Sequence, residues 1–163
     1  MKNVLLSHRV NFNTRLRVLQ CYVWSVLLYE CETWTILRVM KDRLMAVEVW
    51  FLRRMLKISQ TEKKSNEEVF KEAGVHCTLM KRIQQRQLAF LGHVLRKHGL
   101  ENLVVTGRID RRKARGRQRL KYLDSLGESW KDKVSPTELI MASEDRLLWQ
   151  CMVANVVDDV MAT

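Results

Sequence analysis

The chain has 163 residues, a formal net charge of +11 and 47% hydrophobic residues. Its length suits one domain or two small ones, and its apolar content excludes a globally disordered protein. One proline and six glycines are typical of a helical protein and a poor composition for a β-sandwich. The longest apolar stretch, residues 21–29, is far shorter than the roughly 20 residues of a membrane span, so no membrane partner is expected.

The charge is distributed unevenly along the chain. Residues 1–121 carry 26 basic and 10 acidic side chains, whereas residues 122–163 carry 3 basic and 8 acidic ones. A basic body followed by an acidic tail indicates that the body has an anionic partner. The first residues lack the apolar core and small-residue cleavage site of a secretory signal, so we expect an intracellular protein.

Two helices are predicted in the N-terminal third. Residues 14–29 form a helix that is apolar on nearly all sides, which predicts that other helices bury it. Residues 32–37, rich in β-branched and aromatic side chains, indicate a short extended connector. A second helix is predicted over residues 41–58, because apolar side chains recur there at steps of three and four. These side chains are Leu44, Val47, Phe51, Met55 and Ile58.

Capping signals define the middle of the chain. Ser65 and Glu68 have the spacing of a capping box, which opens a short helix that Gly74 ends. Thr78 is then predicted to cap a long helix that runs to about Lys97. The apolar side of that helix is Met80, Ile83, Phe90, Leu91, Val94 and Leu95, and its other side carries Lys81, Arg82, Gln85 and Arg86.

The last part of the chain predicts further helices. Residues 120–130 have helical character. Ser135 and Glu138 form a second capping box, with Pro136 at the first helical position. Residues 139–157 continue as one helix, or as two with a break at Ser143. The buried side is predicted to consist of Leu147, Leu148, Cys151, Met152 and Val156.

Together these elements predict an all-α fold, an irregular bundle of five or six helices with a basic loop. Three regions are expected: a helical region over residues 1–106, the basic loop over residues 107–121, and a C-terminal helical region over residues 122–163 that packs on the first. Most of the tryptophans and cysteines are expected in the core, with the cysteines reduced.

The basic loop holds the densest charge of the sequence, the run RIDRRKARGRQRLK at residues 108–121. Eight of its fourteen residues are Lys or Arg, and arginine bonds phosphate bidentately, so the run favours contact with DNA, RNA or a hybrid. A solvated loop and a nuclear-import signal are the alternative interpretations. The predicted phosphate contacts are Arg108, Arg111, Arg112, Lys113, Arg115, Arg117, Arg119 and Lys121, extended by Lys81, Arg82 and Arg86 or by Arg53 and Arg54.

Signals for catalysis or cofactor binding are weak. The histidines and cysteines lack the spacing of a zinc site, so no metal or other cofactor is expected. Asp158 and Asp159 form an acidic pair, but two-metal catalysis needs a further carboxylate and a β-hairpin to present the pair. The sequence instead predicts a helix end there, and no catalytic residue is assigned.

Several segments of the chain nevertheless form a recognisable order. They are residues 14–35, 49–59, 65–70, 86–97, 111–126 and 144–158. This order resembles the thumb and post-thumb region of the reverse transcriptase of non-LTR (LINE-type) retrotransposons, closest to the RTE-like group. The most specific matches are Tyr29, Glu32, Thr33 and Trp34 to the family's Tyr-Gly-x-Glu-Thr-Trp, Gly92, His93 and Val94 to its Gly-His-Val block, and Gly116, Arg117 and Arg119 to its Gly-Arg-Pro-Arg. Glu30 stands where the family has glycine, so a turn with positive φ at that position would be strained here.

The resemblance implies a helical, thumb-like piece that grips template and primer, in a family with RNA-directed DNA polymerase activity. The family's palm motif, Phe/Tyr-Ala-Asp-Asp, and its endonuclease lie upstream of this region. Neither is found in this sequence, so we expect no enzyme activity of its own and name the rest of a reverse transcriptase as a candidate partner. The alternatives are a protein-interaction or self-associating helical module, a decayed copy without function, and an active polymerase.

Overall fold

A computed structural model of the chain describes residues 2–7, 9–97, 99–108, 122–129 and 134–158. The described residues form helices joined by turns, and none of them lies in a β-strand, which confirms the predicted all-α class. They contain more helical segments than the five or six predicted. The chain divides into two compact units, the first formed by Met1–Glu30 with Arg38–Met80 and the second by Cys31–Leu37 with Lys81–Thr163. This division differs from the three ranges that the sequence suggested.

The first unit contains the N-terminal helices. Its described helices are α1 (Lys2–Leu6), α2 (Phe12–Val18), α3 (Trp24–Leu27), α4 (Arg38–Leu56), α5 (Asn66–Ala73) and the first turn of α6 (Leu79–Arg96). A π-helical turn over Leu19–Val23 joins α2 to α3. The helix predicted over residues 14–29 is therefore present, with one widened turn in its middle.

Helix α5 has the two ends that its sequence predicts. The Ser65 hydroxyl accepts from the amide of Glu68 at 3.2 Å, and the Glu68 carboxylate accepts from the amide of Ser65 at 2.6 Å. Gly74 then adopts the left-handed conformation, with φ of 63°. Both caps are set by residues next to the helix, which is why the sequence alone was sufficient to predict them.

The core of the first unit matches the predicted stripe on α4 only in part: Met55 and Ile58 are buried as predicted, and Leu44 and Phe51 are half-buried. Its buried residues include Val49, Leu52, Ile58, Val69 and Ala73. The predicted Val47 is exposed, whereas the neighbouring Glu48 is buried. A polar residue at a core position conceals the phase of the buried face, because periodicity counts apolar residues only.

The first helical segment is not buried on all sides, as its composition suggested. Leu19 and Trp24 are buried, but Tyr22, Val26 and Tyr29 are exposed. Glu30 ends this segment in the left-handed region, with φ of 53°. Glu30 thus adopts a conformation that favours glycine.

The second unit continues α6 and adds further helices. These are α7 (Leu100–Thr106), α8 (Tyr122–Ser129), α9 (Pro136–Glu144) and α10 (Arg146–Asp158). Helix α7 was not predicted from the sequence. The break between α9 and α10 falls at Asp145, two residues after the predicted Ser143, because the Asp145 carboxylate accepts from the amides of Leu147 and Leu148 at 2.8 and 3.2 Å.

The core of the second unit lies among α6, α8, α9 and α10. It consists of Leu88, Leu91, Leu95, Leu123, Leu126, Leu139 and Trp149. The predicted buried side of α10 is correct only in part: Leu147, Leu148 and Cys151 are exposed, whereas Met152 packs against the core and Trp149 is buried. The side chain of Val156 lies outside the described residues. Helix α10 begins anew at Arg146, so its faces do not continue the phase of α9.

The tryptophans and cysteines divide between core and surface. Trp24 and Trp149 are buried as predicted, whereas Trp50 is 49% exposed. All four cysteines are free, and Cys31 is the buried one, so the expectation that most of them lie in the core is wrong. Burial is the main cause that raises the pKa of the Cys31 thiol, with the neighbouring Glu32 as a second cause.

Candidate nucleic-acid interface

The structure describes the entrance to the basic run. Gly107 ends α7 in the left-handed conformation, with φ of 70°. Arg108 follows it, is exposed, and donates its backbone amide to the carbonyl of Leu103 at 3.0 Å. The other predicted phosphate contacts of the run, Arg111, Arg112, Lys113, Arg115, Arg117, Arg119 and Lys121, lie outside the described residues. Their role stays a prediction from the sequence.

The outer face of α6 brings several basic residues together. Arg82, Arg86 and His93 are exposed on it, and Lys97 is exposed immediately after its last residue. With Phe90, these positions follow steps of four, four, three and four, so they share one face of the helix. Each step of four residues covers about 6 Å along the helix axis. We call these five residues the α6 stripe.

Phe90 was assigned to the apolar core of α6 by its sequence pattern. It is instead 36% exposed and lies in the α6 stripe between Arg86 and His93. Most of the predicted apolar side of α6 is confirmed, since Ile83, Leu91, Val94 and Leu95 are buried, and Gln87 is buried as well. An exposed aromatic ring beside a basic side chain is a combination found in proteins that bind single strands.

One member of the α6 stripe has a second role. The guanidinium Nε of Arg86 lies 2.8 Å from Oε1 of Glu32. Both side chains are partly exposed, so this ion pair contributes little to stability. It does hold Arg86 in one place and offset its charge, so an anion that binds Arg86 must compete with Glu32.

The segment around Glu32 is held in place by several hydrogen bonds. The Gln87 amide donates to the carbonyls of Cys31 at 3.1 Å and Trp34 at 2.8 Å. The Tyr122 hydroxyl donates to the carbonyl of Glu32, and partial burial raises the pKa of that phenol. Ile36 completes the set with a bond from its amide to the Ser125 hydroxyl at 3.3 Å. Cys31–Thr33 form a 3-10 turn, so the predicted connector begins as a helical turn, and residues 34–37 lie outside any helix.

The cations of α4 are placed differently from one another. The Arg53 guanidinium donates to the carbonyl of Lys64, which ties it to the chain that precedes α5. Arg54 is exposed, with its guanidinium carbon 5.4 Å from the centre of the Trp50 ring. Of the two residues that the sequence suggested on α4, Arg54 is therefore the one available to a ligand.

Two buried charged residues of the first unit hold helix ends. The Arg15 guanidinium donates to the carbonyls of Leu5 at 3.1 Å, Val10 at 3.1 Å and Met55 at 2.9 Å. Met55 lies in the last turn of α4, where carbonyls lack partners within the helix and a cation is favourable. Sequence reasoning could not find Arg15, because its partner on α4 is 40 residues away.

Glu48 accepts hydrogen bonds from the backbone amides at the start of α6, whereas Arg15 donates to a carbonyl at the end of α4. Its carboxylate accepts from the backbone amides of Thr78 at 3.0 Å and Leu79 at 3.3 Å. It also accepts from the Thr78 hydroxyl at 3.1 Å and from the Cys77 thiol at 3.2 Å. A carboxylate is favourable at a helix N-terminus. The predicted capping by Thr78 is thus carried out at least in part by Glu48.

Among the described residues, no group of three or more His, Cys, Asp or Glu side chains is arranged to hold a metal ion. Within the same part of the chain, no helix is long and apolar enough to cross a membrane. Asp158 is the last described residue of α10, and its neighbour in the acidic pair, Asp159, lies outside the described ranges.

Comparisons with protein-family models, with curated proteins and with solved structures return no match.

Proposed function

We propose that this chain binds nucleic acid with little sequence specificity, as a non-catalytic piece of a non-LTR retrotransposon reverse transcriptase. The observation that carries the proposal is the α6 stripe, in which Arg82, Arg86, His93 and Lys97 share one exposed face with Phe90. Helix α6 contains no Asp or Glu to offset them. The motif order described above supports the origin in a reverse transcriptase.

Phosphate binding follows from the chemistry of this face. Along the stripe, Arg82 and Arg86 lie about 6 Å apart, as do His93 and Lys97, and about 10 Å separates Arg86 from His93. Basic side chains spaced in this way along one line can each meet a separate phosphate of a strand that runs beside the helix. Helix α7 and the exposed Arg108 lead from α6 into the basic run, whose arginines add further phosphate contacts in this proposal. Such contacts read charge rather than base sequence, so DNA, RNA and hybrids all remain candidate ligands.

Fluorescence anisotropy across a salt series tests the proposal. With six to eight contacts to single strand, the logarithm of the binding constant should fall with the logarithm of salt at a slope of about −4 to −6. A loop variant changes Arg111, Arg112, Arg115 and Arg117 to Gln, and a stripe variant changes Arg82, His93 and Lys97 to Gln. Each should bind more weakly and with a shallower slope.

A matched control variant separates the effect of lowering the net charge from the effect of removing the proposed phosphate contacts. The control variant changes Arg9, Arg17, Lys63 and Lys71 to Gln, four exposed cations outside the run and the stripe. It removes as much charge as the loop variant and should bind nearly as the wild type does. A wild-type slope near zero, or an equal loss in all three variants, would contradict a defined phosphate track.

A second candidate function is a protein-interaction or self-associating module. Helix α7 favours it, because Leu100, Leu103 and Val104 are exposed on one side of that helix. Exposed apolar groups at adjacent positions mark surfaces that other proteins cover. Light scattering separates the two functions: a mass that rises with concentration, together with no response to oligonucleotides, would support the interaction module.

A further inference from the structure

The first unit contains an apolar pocket between α1 and α4. The pocket has a volume of about 330 Å³ and is lined by Leu5, Leu6, Trp50, Phe51, Arg54 and Met55. That volume is at the small end of the range for ligand sites, which are mostly apolar with a few placed polar groups. Arg54 is the charged residue among the described lining residues.

Trp50 presents an aromatic surface at this pocket. Its side chain is half-exposed, although large aromatic residues on a long helix are usually covered. The Phe51 ring meets it edge to face, with the ring centres 4.9 Å apart and the planes at 79°. The Arg54 guanidinium also lies near the indole, 5.4 Å from the ring centre. A guanidinium near an aromatic ring keeps its N–H donors available around its rim, so Arg54 can still bind an anion.

A buried side chain links the two helices that form the pocket. Leu5 lines the pocket from α1, and Met55 lines it from α4. The same Arg15 guanidinium nitrogen donates to the backbone carbonyls of both residues, at 3.1 and 2.9 Å. Arg15 is itself buried. The spacing between α1 and α4 is therefore held before any ligand arrives, which lowers the cost of ordering the site on binding.

These features together describe the chemistry of the ligand. An indole and apolar walls favour a flat, uncharged group, and the guanidinium favours an anion close to that group. A nucleotide in a single strand carries both groups. Its base is flat with two faces that can stack, and its phosphate is joined to the base through the sugar. A purely apolar side chain of a protein would make no hydrogen bond to the Arg54 guanidinium.

We propose that this pocket binds one base of a single-stranded nucleic acid, with Trp50 stacking on the base and Arg54 bonding the adjacent phosphate. The residues that line this pocket belong neither to the basic run nor to the α6 stripe. The inference rests on the proposed function, since the ligand is again nucleic acid. It adds a base-dependent contribution that phosphate contacts alone cannot give.

The test compares an oligothymidine of about twelve nucleotides with an abasic strand of the same length. Trp50→Ala should weaken binding of the oligothymidine about 5- to 150-fold, the range for losing one stacked base. It should leave binding of the abasic strand unchanged. Trp50→Phe should restore most of the affinity, because it keeps a ring for stacking, and Arg54→Gln should weaken binding of both strands.

Tryptophan fluorescence gives a second readout that does not depend on the Ala variant folding. Oligothymidine should quench the wild-type emission, the abasic strand should not, and Trp50→Phe should lose the largest part of the quenching. Quenching that is equal in wild type and Trp50→Phe would overturn the inference.

The outcomes distinguish this inference from the proposed function. If the loop variant flattens the salt slope while Trp50→Ala weakens both strands equally or neither, phosphate binding stands and the base pocket is wrong. If the wild type binds neither strand, both proposals fail. If Trp50→Ala instead abolishes a concentration-dependent mass without affecting oligonucleotide binding, the pocket holds a protein side chain and the base-binding inference is overturned.

Discussion

The indole of Trp149 occupies the space that a side chain at Gly92 would need. A Cβ atom placed on Gly92 would lie 2.1 Å from the Trp149 Nε1 atom. The same Nε1 donates a hydrogen bond to the carbonyl of Leu88 at 3.0 Å. Two segments far apart in the sequence, the one around Gly92 and the one around Trp149, therefore meet in the core of the second unit.

We expect Gly92→Ala to destabilise the second unit by about 3 kcal/mol, because the methyl group must displace a buried ring from a well-packed core. Urea denaturation measures the change. The control is a double-mutant cycle with Trp149→Ala, in which the cost of Gly92→Ala should fall to roughly 1 kcal/mol or less. Equal costs in the two backgrounds would show that the ring is not the obstacle.

Glu30 provides a test of backbone strain. Glycine at this position should relieve the positive φ of 53°, whereas alanine should not. We expect Glu30→Gly to be more stable than Glu30→Ala by about 1 kcal/mol, the usual cost of the left-handed region for a residue with a Cβ atom. Both variants lose the glutamate side chain, so the difference between them isolates the backbone. Equal midpoints in urea would contradict the strained turn.

The hydrogen bonds from the buried Arg15 guanidinium to three backbone carbonyls predict that replacing this side chain strongly lowers the stability of the protein. Arg15→Met should lower the free energy of unfolding by roughly 3 kcal/mol, because it leaves the carbonyls of Leu5, Val10 and Met55 without their charged donor. Arg17→Met on the same helix is the control, since Arg17 is exposed and should cost less than about 0.5 kcal/mol. Chemical denaturation of both variants checks the prediction. Similar losses of unfolding free energy in the two variants would show that the hydrogen bonds of Arg15 do not have the expected effect.

The capping role of Glu138 predicts that the stability of the protein depends on pH. The Ser135 backbone amide, followed by the Ser135 hydroxyl, holds the pKa of its carboxyl below the ordinary value of 4.5. A lowered folded-state pKa means that the stabilisation is complete above the unfolded value and is lost as pH falls through the folded one. Glu138→Gln keeps an acceptor for the capping box but removes the charge. The difference in Tm between wild type and Glu138→Gln should therefore shrink when the pH falls from 7 to below about 4. A difference that is constant over this range would contradict the prediction.

Features set by neighbouring residues were predictable from the sequence, and features set across the fold were not. Both capping boxes and Gly74 formed as expected, because their partners lie within a few positions. Arg15 and Glu48 were not predicted, because their partners lie 40 and 30 residues away. The same distinction explains the α4 error: a stripe of apolar residues indicates a helix, but the buried Glu48 decides which face turns inward.

The candidate site follows the same division. Arg82, Arg86 and Arg54 were identified from charge alone, and all three are exposed. The aromatic members, Phe90 and Trp50, were assigned to the core, because a helical pattern cannot show which apolar residues lack a neighbour to cover them. Their exposure became visible only once the surrounding helices were in place.

The carboxylate of Glu48 has a consequence for the order of folding. Helix α5 carries both of its caps in adjacent sequence, so it can begin to form on its own in the unfolded chain. The first turn of α6 cannot be completed in that way, because the acceptor for its amides belongs to α4. The start of α6 should therefore form late and open early, and hydrogen exchange at the Thr78 and Leu79 amides should report the undocking of α4 rather than local fraying.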